Sequence, residues 1–146
     1  MRLFNRSNSS ALIAIAISAS FYIFASSKAI ADETIYFQIP SGNIHCGAIR
    51  SGGLDCELGT NTAKLPAKPK DCNLEWGNRF RMSSTGKAQR LCHIDALSRD
   101  PKHQVIGYGK TWRGQEFTCM SKASGLTCKN KDGRGWTLSK NKQQLF

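Results

Sequence analysis

Acidic residues are scarce in this sequence: ten Asp and Glu stand against 21 Lys and Arg in 146 residues, a formal net charge of +11. Histidine is rarer, with three residues, so few side chains could act as general acids or bases near neutral pH. A chain of this length favours one domain and is too short for a large cofactor-binding α/β fold. The composition therefore favours a small basic protein that attracts anions, without a cofactor.

A hydrophobic run long enough to span a membrane is also missing. The longest run, Ala11 to Ala25, has about 15 residues with two serines inside, whereas a spanning helix needs about 20. Two arginines precede this run, and Ala29-Ile30-Ala31 follows it as a small-residue cleavage site, the pattern of a secretory signal peptide. We therefore expect residues 1–31 to be cleaved, and residues 32–146 to form one secreted or periplasmic domain without a membrane span.

Helical periodicity is absent after residue 31, because no window of a dozen residues keeps an apolar stripe at i, i+3, i+4 and i+7. Short segments instead carry apolar residues at every second position and end at Gly, Asn, Asp or Pro. About nine such segments are predicted: 35–39, 44–48, 54–58, 80–82, 87–92, 105–112, 115–120, 126–130 and 136–139. The stretch 59–71 between them is a loop. The sequence predicts an all-β fold, a small antiparallel sandwich or barrel.

The six cysteines are even in number, and none lies in the signal segment. A secreted protein with this pattern is expected to form three disulfides. A weak internal repeat describes two Gly-containing hairpins with one cysteine on each arm, and opposed residues of an antiparallel pair are close enough to be bridged. This geometry favours three bridges, Cys46–Cys56, Cys119–Cys128 and, by elimination, Cys72–Cys92.

Catalytic and metal-binding motifs are not found. The Gly-x-Ser-x-Gly pattern is absent, and Gly109-Lys110-Thr111 lacks the earlier glycine of a phosphate-binding loop, since Gln104 stands there. A calcium loop around Asp132-Gly133 would have Cys128 and Ser139 as its first and last ligands, so this pair instead predicts a hairpin turn. Disulfides would consume the thiolates of a zinc site. No catalytic residue, metal ligand or cofactor is therefore predicted.

The three histidines, His45, His93 and His103, keep an enzymatic alternative open. Two imidazoles and a lysine could cleave a phosphodiester by general acid–base catalysis. Nothing in the spacing places two histidines on one face, so we interpret them as isolated surface residues. A secreted hydrolase, either a phosphodiesterase or a glycan hydrolase, is thus an alternative function, and an inhibitor of an acidic enzyme is another.

Several motifs resemble those of a known family. They are Phe37-x-x-Pro40-Ser41-Gly42-Asn43-Ile44-x-Cys46, Cys72 with Trp76-Gly77, Cys92-x-x-Asp95, Tyr108-Gly109-x-Thr111-Trp112 and Gly125-Leu126-Thr127-Cys128-x-Asn130-x-x-Gly133-x-Gly135-Trp136. Together they resemble a family of small secreted bacterial proteins of unknown function. The resemblance implies an extracytoplasmic bacterial domain with no known enzyme activity. The sequence departs from that family at Arg134 and Trp136, where His and Phe are expected.

Basic residues concentrate towards the end of the sequence. Residues 32–146 keep 18 basic and ten acidic residues, a net charge of +8, and residues 122–142 hold six of these basic residues and one acidic residue. Lys129, Lys131 and Arg134 surround the predicted Asp132-Gly133 turn, where side chains should be exposed.

We expect a non-enzymatic, monomeric module in which Lys129, Lys131 and Arg134 bind an anionic partner. The candidate partners are an acidic glycan, a lipid headgroup or an acidic protein, and no specific nucleic acid is expected. The same cations could instead form a solvated rim that prevents pairing between sheet edges.

Overall fold

Two β-sheets packed face to face make up the structure, a computed structural model that describes residues 33–50 and 52–146. Within these residues there is no helix, and all strand pairs but one are antiparallel. The all-β sandwich predicted from the alternating apolar pattern is therefore confirmed. The expected signal segment, residues 1–31, lies outside the described residues.

Six strands form the first sheet, in the order β5-β4-β3-β2-β1-β6. They are β1 (Thr34–Gln38), β2 (Ile44–Ile49), β3 (Gly53–Leu58), β4 (Glu75–Met82), β5 (Gln89–His93) and β6 (Gln104–Val105). Strands β1 to β5 follow one another across the sheet as an antiparallel meander, and the loop 59–71 lies between β3 and β4 as expected. Strand β6 pairs in parallel with β1 at the other edge.

Five strands form the second sheet, in the order β11-β10-β9-β8-β7. They are β7 (Thr111–Gly114), β8 (Phe117–Lys122), β9 (Gly125–Lys129), β10 (Gly135–Leu138) and β11 (Gln143–Leu145). Each strand pairs with its successor in the chain, so this sheet is built entirely from consecutive hairpins.

The described residues contain 11 strands, two more than the sequence predicts. The single strand predicted for 105–112 is divided into β6 and β7, which belong to different sheets, and Gly109 adopts a φ of +80° in the turn between them. Strand β11 was not predicted because Gln143–Leu145 contains one apolar residue and shows no clear alternation.

The hydrophobic core lies between the two sheets and follows the alternation of the strands. On β1, for example, Phe37 is fully buried while Tyr36 lies on the outer side. Aromatic contacts connect the sheets: the ring of Phe37 stacks on Trp112 at a centroid distance of 4.5 Å, and Phe80 contacts Trp136 at 6.2 Å. These contacts fix the sheets face to face, so their outer faces are available for other roles.

The three predicted disulfides are confirmed. Cys46–Cys56 and Cys119–Cys128 join opposed residues of two hairpins, with Cα–Cα distances of 4.1 and 4.0 Å, as expected for non-hydrogen-bonded pairs. Cys72–Cys92 joins the end of the loop 59–71 to β5. No cysteine is free, and three disulfides in a small domain are typical of proteins that fold in an oxidising compartment.

Candidate anion-binding surface

The first predicted ligand, Lys129, ends strand β9 and is exposed on the outer side of the second sheet. The predicted alternation on this strand is confirmed, because Leu126 and Cys128 are buried whereas Thr127 and Lys129 face away from the core. The ammonium nitrogen of Lys129 lies 5.8 Å from the ring centroid of Phe146.

Lys131 and Arg134 lie in the turn between β9 and β10, where Asp132-Gly133 forms the predicted hairpin turn and Gly133 has a φ of +72°. The Nζ atom of Lys131 is 2.5 Å from Oε1 of Glu116, so an acidic side chain already pairs with this cation. Arg134 is exposed and borders Phe146. The structure thus places Lys129 near the ring of Phe146 and Arg134 in a groove that Phe146 also lines, while Lys131 pairs with Glu116.

The outer side of the second sheet carries cations and hydroxyl groups. We define the outer face by the residues that alternate with the buried ones on β7 to β11: Thr111, Arg113, Thr118, Met120, Lys122, Thr127, Lys129, Thr137 and Gln144. Three of these nine residues are basic, four are threonines, one on each of β7 to β10, and none is acidic.

The strand register sets the spacing of the cations on the outer face. Arg113, Thr118 and Lys129 lie side by side on three neighbouring strands, so the backbones of Arg113 and Lys129 are about 10 Å apart. Lys122 lies four residues beyond Thr118 on β8, about 13 Å along the strand. Arg113 donates a hydrogen bond from Nη1 to Oγ1 of Thr118 at 3.1 Å, which orients its guanidinium across the face.

Charge is distributed unevenly between the two halves of the molecule. Residues 107–146, which contain the second sheet, have eight basic and two acidic residues, whereas residues 33–106 have ten basic and seven acidic residues. Both acidic groups of the second half already have partners: Glu116 pairs with Lys131, and the carboxylate of Asp132 accepts a hydrogen bond from the N–H of Gly86 at 2.7 Å. Residues 107–146 therefore carry a net charge of +6, and three of their eight cations lie on the outer face.

The outer side of the first sheet is different, because its cations are neutralised. Asp55 is 2% exposed and accepts hydrogen bonds from Arg79 at 2.8 Å and from Arg81 at 2.6 and 2.7 Å. Glu57, 4% exposed, accepts from the N–H of Leu97 at 2.6 Å and from Arg99 at 2.8 Å.

This ionic cluster holds the connection 94–103 against the first sheet. None of its residues was predicted from the sequence as functional. The alternation of Asp55 and Glu57 with Leu54, Cys56 and Leu58 was a usable signal for their position, since it places both carboxylates on the outer side of β3.

The interpretation of the histidines as surface residues is wrong for His45, which is 5% exposed. Its Nε2 lies 2.8 Å from the carbonyl oxygen of Gly42, and since a carbonyl accepts, this nitrogen carries the proton. Burial lowers the pKa of His45, and the charges of Arg99 and His103 lower it further, whereas the hydrogen bond to Gly42 raises it.

The other two histidines make separate contacts. The ring of His103 stacks on Tyr36 at 4.7 Å, and Nδ1 of His93 lies 3.3 Å from the carbonyl of Asp95. His45 lies on the outer side of the first sheet, as does Tyr36, on which His103 stacks, so the fold brings two histidines to one face, which the spacing had not indicated. Catalysis by the pair His45 and His103 would require His45 to reach a substrate, and His45 is almost fully buried.

The fold and the surface define a disulfide-bonded β-sandwich with one strongly basic face. The chain belongs to a family of unknown function, DUF6636, whose model matches residues 16–146. No curated protein and no solved structure matches the chain. Among residues 33–50 and 52–146 there is no helix of the length and apolar character needed to cross a membrane.

Proposed function

We propose that this protein is a non-enzymatic, secreted or periplasmic module that binds an acidic glycan of the cell envelope through the outer face of the second sheet. The observation that carries the proposal is the uneven charge: eight basic residues against two acidic ones in residues 107–146, both acidic groups being already engaged. A positive surface of this kind attracts polyanions and accelerates their encounter with the protein. The three disulfides and the expected signal peptide support the extracytoplasmic location.

The composition of the outer face favours a glycan over a lipid bilayer. Of the large apolar side chains that the described part of the chain leaves exposed, Met120 alone lies in the middle of this face, at 42% exposure. Binding at a membrane interface gains much of its strength from apolar side chains that enter the acyl region, and one methionine supplies little of this area. The threonine hydroxyls can donate to and accept from the hydroxyl groups of a sugar polymer.

The three predicted ligands have different roles in this proposal. Lys129 is part of the outer face, next to Thr118 and near Arg113. Arg134 and Lys131 lie at its rim. The pair between Lys131 and Glu116 is exposed, with 55% and 47% of the two side chains accessible, so it contributes about 1 kcal/mol or less and can exchange its carboxylate partner for one on the glycan.

The proposal is tested with two charge-reversal variants of equal net charge. The first replaces Arg113, Lys122 and Lys129 on the outer face by Glu. The control replaces Lys64, Lys68 and Lys70, which are exposed in the loop 59–71, by Glu. Both lower the net charge by six, so a response to overall charge would be the same in the two proteins.

Retention on alginate coupled to agarose is measured as the salt concentration needed for elution. We expect the wild type and the loop variant to be retained and released by salt, and the outer-face variant to pass through the column, with circular dichroism unchanged for all three. Equal loss of retention in the two variants would contradict a specific role of the outer face. Sedimentation with phosphatidylglycerol vesicles, in a protein that alginate does not retain, would assign the partner to the lipids.

A further inference from the structure

A cavity of about 680 Å³ opens at one end of the sandwich, within the size range of small-molecule sites. Its wall combines the β1–β2 turn and residue 62 on one side with the β8–β9 and β10–β11 turns on the other. It is therefore formed by both sheets together, at the end of the molecule opposite the Asp132-Gly133 turn. None of the residues predicted from the sequence as ligands lines it.

Hydrogen bonds hold the wall of this cavity in place. The side chain of Asn43 accepts from the N–H of Thr60 at 2.7 Å and donates to the carbonyl of Thr60 at 3.1 Å, which joins the β1–β2 turn to the following loop. The N–H of Thr62 donates to the carbonyl of Lys140 at 2.7 Å, which joins that loop to the β10–β11 turn in the other sheet. A site whose walls are fixed before a ligand arrives loses little conformational entropy on binding.

The lining presents hydrogen-bond donors, one cation and a small apolar surface. Ser41, Ser124, Lys140 and Asn141 border the cavity, and within the described residues the side chains of Ser124 and Lys140 have no hydrogen-bonding partner. Asn141 uses its oxygen to accept from Ser139, which leaves its amide N–H groups available. Ala123, which is exposed, supplies apolar surface to the lining, whereas Ile39 and Ile44 are 4% and 1% exposed and add little to it. No carboxylate lines the cavity, so nothing in it would repel an anion.

We infer that this cavity binds a single acidic sugar unit. The carboxylate of the sugar would pair with the ammonium group of Lys140, and its hydroxyl oxygens would accept hydrogen bonds from Ser41, Ser124 and Asn141. The C–H face of the ring would pack on the methyl group of Ala123. An acceptor-rich ligand with one negative charge and one apolar face matches each of these groups.

The cavity adjoins the outer face. The inference therefore rests on the proposed function and adds to it a site for one terminal sugar of the acidic glycan. Lys122 of the outer face pairs in register with Gly125, which borders the cavity. Lys142, in the β10–β11 turn, accepts a hydrogen bond at its carbonyl from the N–H of Ser139, another lining residue, and its own N–H donates to Oγ of Ser139. An acidic glycan chain that lies across the outer face and extends into the cavity would therefore pass Lys122 and Lys142.

Monosaccharide titrations test the cavity directly. D-galacturonate and D-galactose differ by a carboxylate in place of a hydroxymethyl group, and each is added to the protein while the backbone amide signals are followed by NMR. We expect galacturonate to shift the amides of Ser41, Ser124 and Asn141 and to bind about tenfold more tightly than galactose, since a charged hydrogen bond contributes more than a neutral one. Equal binding of the two sugars, or shifts confined to other residues, would overturn the inference.

Three variants give the test its controls. Lys140→Gln should reduce the preference for galacturonate to near unity while keeping weak binding of both sugars. Lys68→Gln, at an exposed position of the loop 59–71 that does not line the cavity, should leave the preference unchanged. Ser124→Trp, on an exposed turn, should fill the cavity and remove the amide shifts of Ser41 without altering the circular dichroism spectrum. Unchanged sugar binding in either cavity variant would contradict the site.

A fourth variant separates this inference from the proposed function. Arg113→Glu with Lys129→Glu changes the far part of the outer face and should abolish retention on alginate without affecting the galacturonate titration. Alginate retention without any response of the cavity to galacturonate would leave the proposed function standing and reject the cavity site. A cavity response to galacturonate in wild-type protein that alginate does not retain would reject the outer face as a glycan surface.

Discussion

The carboxylate of Asp132 accepts a hydrogen bond from the backbone N–H of Gly86 at 2.7 Å, although the two residues belong to turns of different sheets. The contact does not stand alone. The N–H of Lys131 donates to the carbonyl of Ser84 at 3.1 Å, and the side chain of Asn130 donates to the carbonyls of Ser83 and Gly86 at 3.0 and 2.8 Å. The hairpin that carries Lys131 and Arg134 is therefore fixed against the first sheet.

Asn130 is the residue on which this junction depends most. It is 6% exposed, and besides its two donated bonds its oxygen accepts from the N–H groups of Asp132 and Arg134 at 3.1 and 3.0 Å. Asn130→Ala leaves these backbone groups without their partner, and we expect it to lower the free energy of unfolding by about 3 kcal/mol. Urea unfolding measures the loss. Asn73→Ala, on an exposed loop, is the control and should change stability by about 0.5 kcal/mol or less. A loss below about 1 kcal/mol for Asn130→Ala would contradict the role of this side chain.

The stability lost on removing each disulfide shows whether loop entropy or core packing contributes more to the free energy of unfolding. The bridge Cys72–Cys92 spans 20 residues and Cys119–Cys128 spans 9, so chain entropy favours the longer loop by about 0.6 kcal/mol. Cys119 and Cys128 are fully buried, however, whereas Cys92 is exposed. Replacing both buried cysteines by Ala also creates a cavity, and we expect this variant to lose about 1 kcal/mol more than Cys72→Ala/Cys92→Ala. Denaturant midpoints of the two double variants provide the comparison, and the reverse order would show that loop length dominates.

Stability should decrease as the pH falls from 7 to 5. Burial lowers the pKa of His45 in the folded protein, so below about pH 6.5 the unfolded chain binds a proton that the folded chain does not. The stability that neutral His45 supplies is therefore present above its unfolded pKa and is lost as the pH drops towards its folded pKa. Arg99 and His103 act in the same direction, and Glu57 opposes them.

Thermal unfolding of the wild type and of His45→Gln at pH 7, 6 and 5 measures this effect. We expect a smaller decrease of the melting temperature in the variant, because Gln has no proton to gain. The control His93→Gln removes a half-buried histidine from the edge strand β5 and should keep the pH dependence of the wild type. An identical pH dependence in wild type and His45→Gln would contradict a buried neutral imidazole.

Glu57 should control the position of the connection 94–103. Its two oxygens accept from Leu97 and Arg99, and Gln would place an N–H₂ group against one of these donors. We expect Glu57→Gln to lower the free energy of unfolding by about 2 kcal/mol and to accelerate hydrogen exchange at the amide of Leu97. Glu75→Gln, at an exposed position of β4, should do neither. Unchanged exchange at Leu97 in the Glu57 variant would show that other contacts hold the connection.

Much of the fold could be predicted from local patterns. The alternation of Thr127 and Lys129 with buried Leu126 and Cys128 follows from the pleat of a strand, and the hairpin disulfides follow from opposed positions in adjacent strands. The division of 105–112 between two sheets could not be predicted, because that segment reads as one continuous strand.

The candidate site was predicted in part. Lys129 lies on the outer face, but Arg113 and Lys122 were not singled out, because their relation to Lys129 depends on the register of three strands. The cavity at the end of the sandwich was not predicted at all. Its lining comes from turns that are as far apart in the chain as Ser41 and Asn141, and only the packing of the two sheets brings these turns together.

Local patterns of residues are enough to predict the all-β class, the two hairpin disulfides, the excess of positive charge and the outward direction of Lys129, because each depends on neighbouring residues or on residues joined by one short turn; Cys72–Cys92 then follows by elimination. Which charges remain unpaired depends on the folded structure. Lys131 forms an ion pair with Glu116, and Arg79 and Arg81 form ion pairs with Asp55. The paired residues are 15 to 26 positions apart in the chain. Such pairs depend on strand register and on how the sheets pack, which no local pattern of residues specifies. For the same reason the basic face and the end cavity become visible only in the folded molecule.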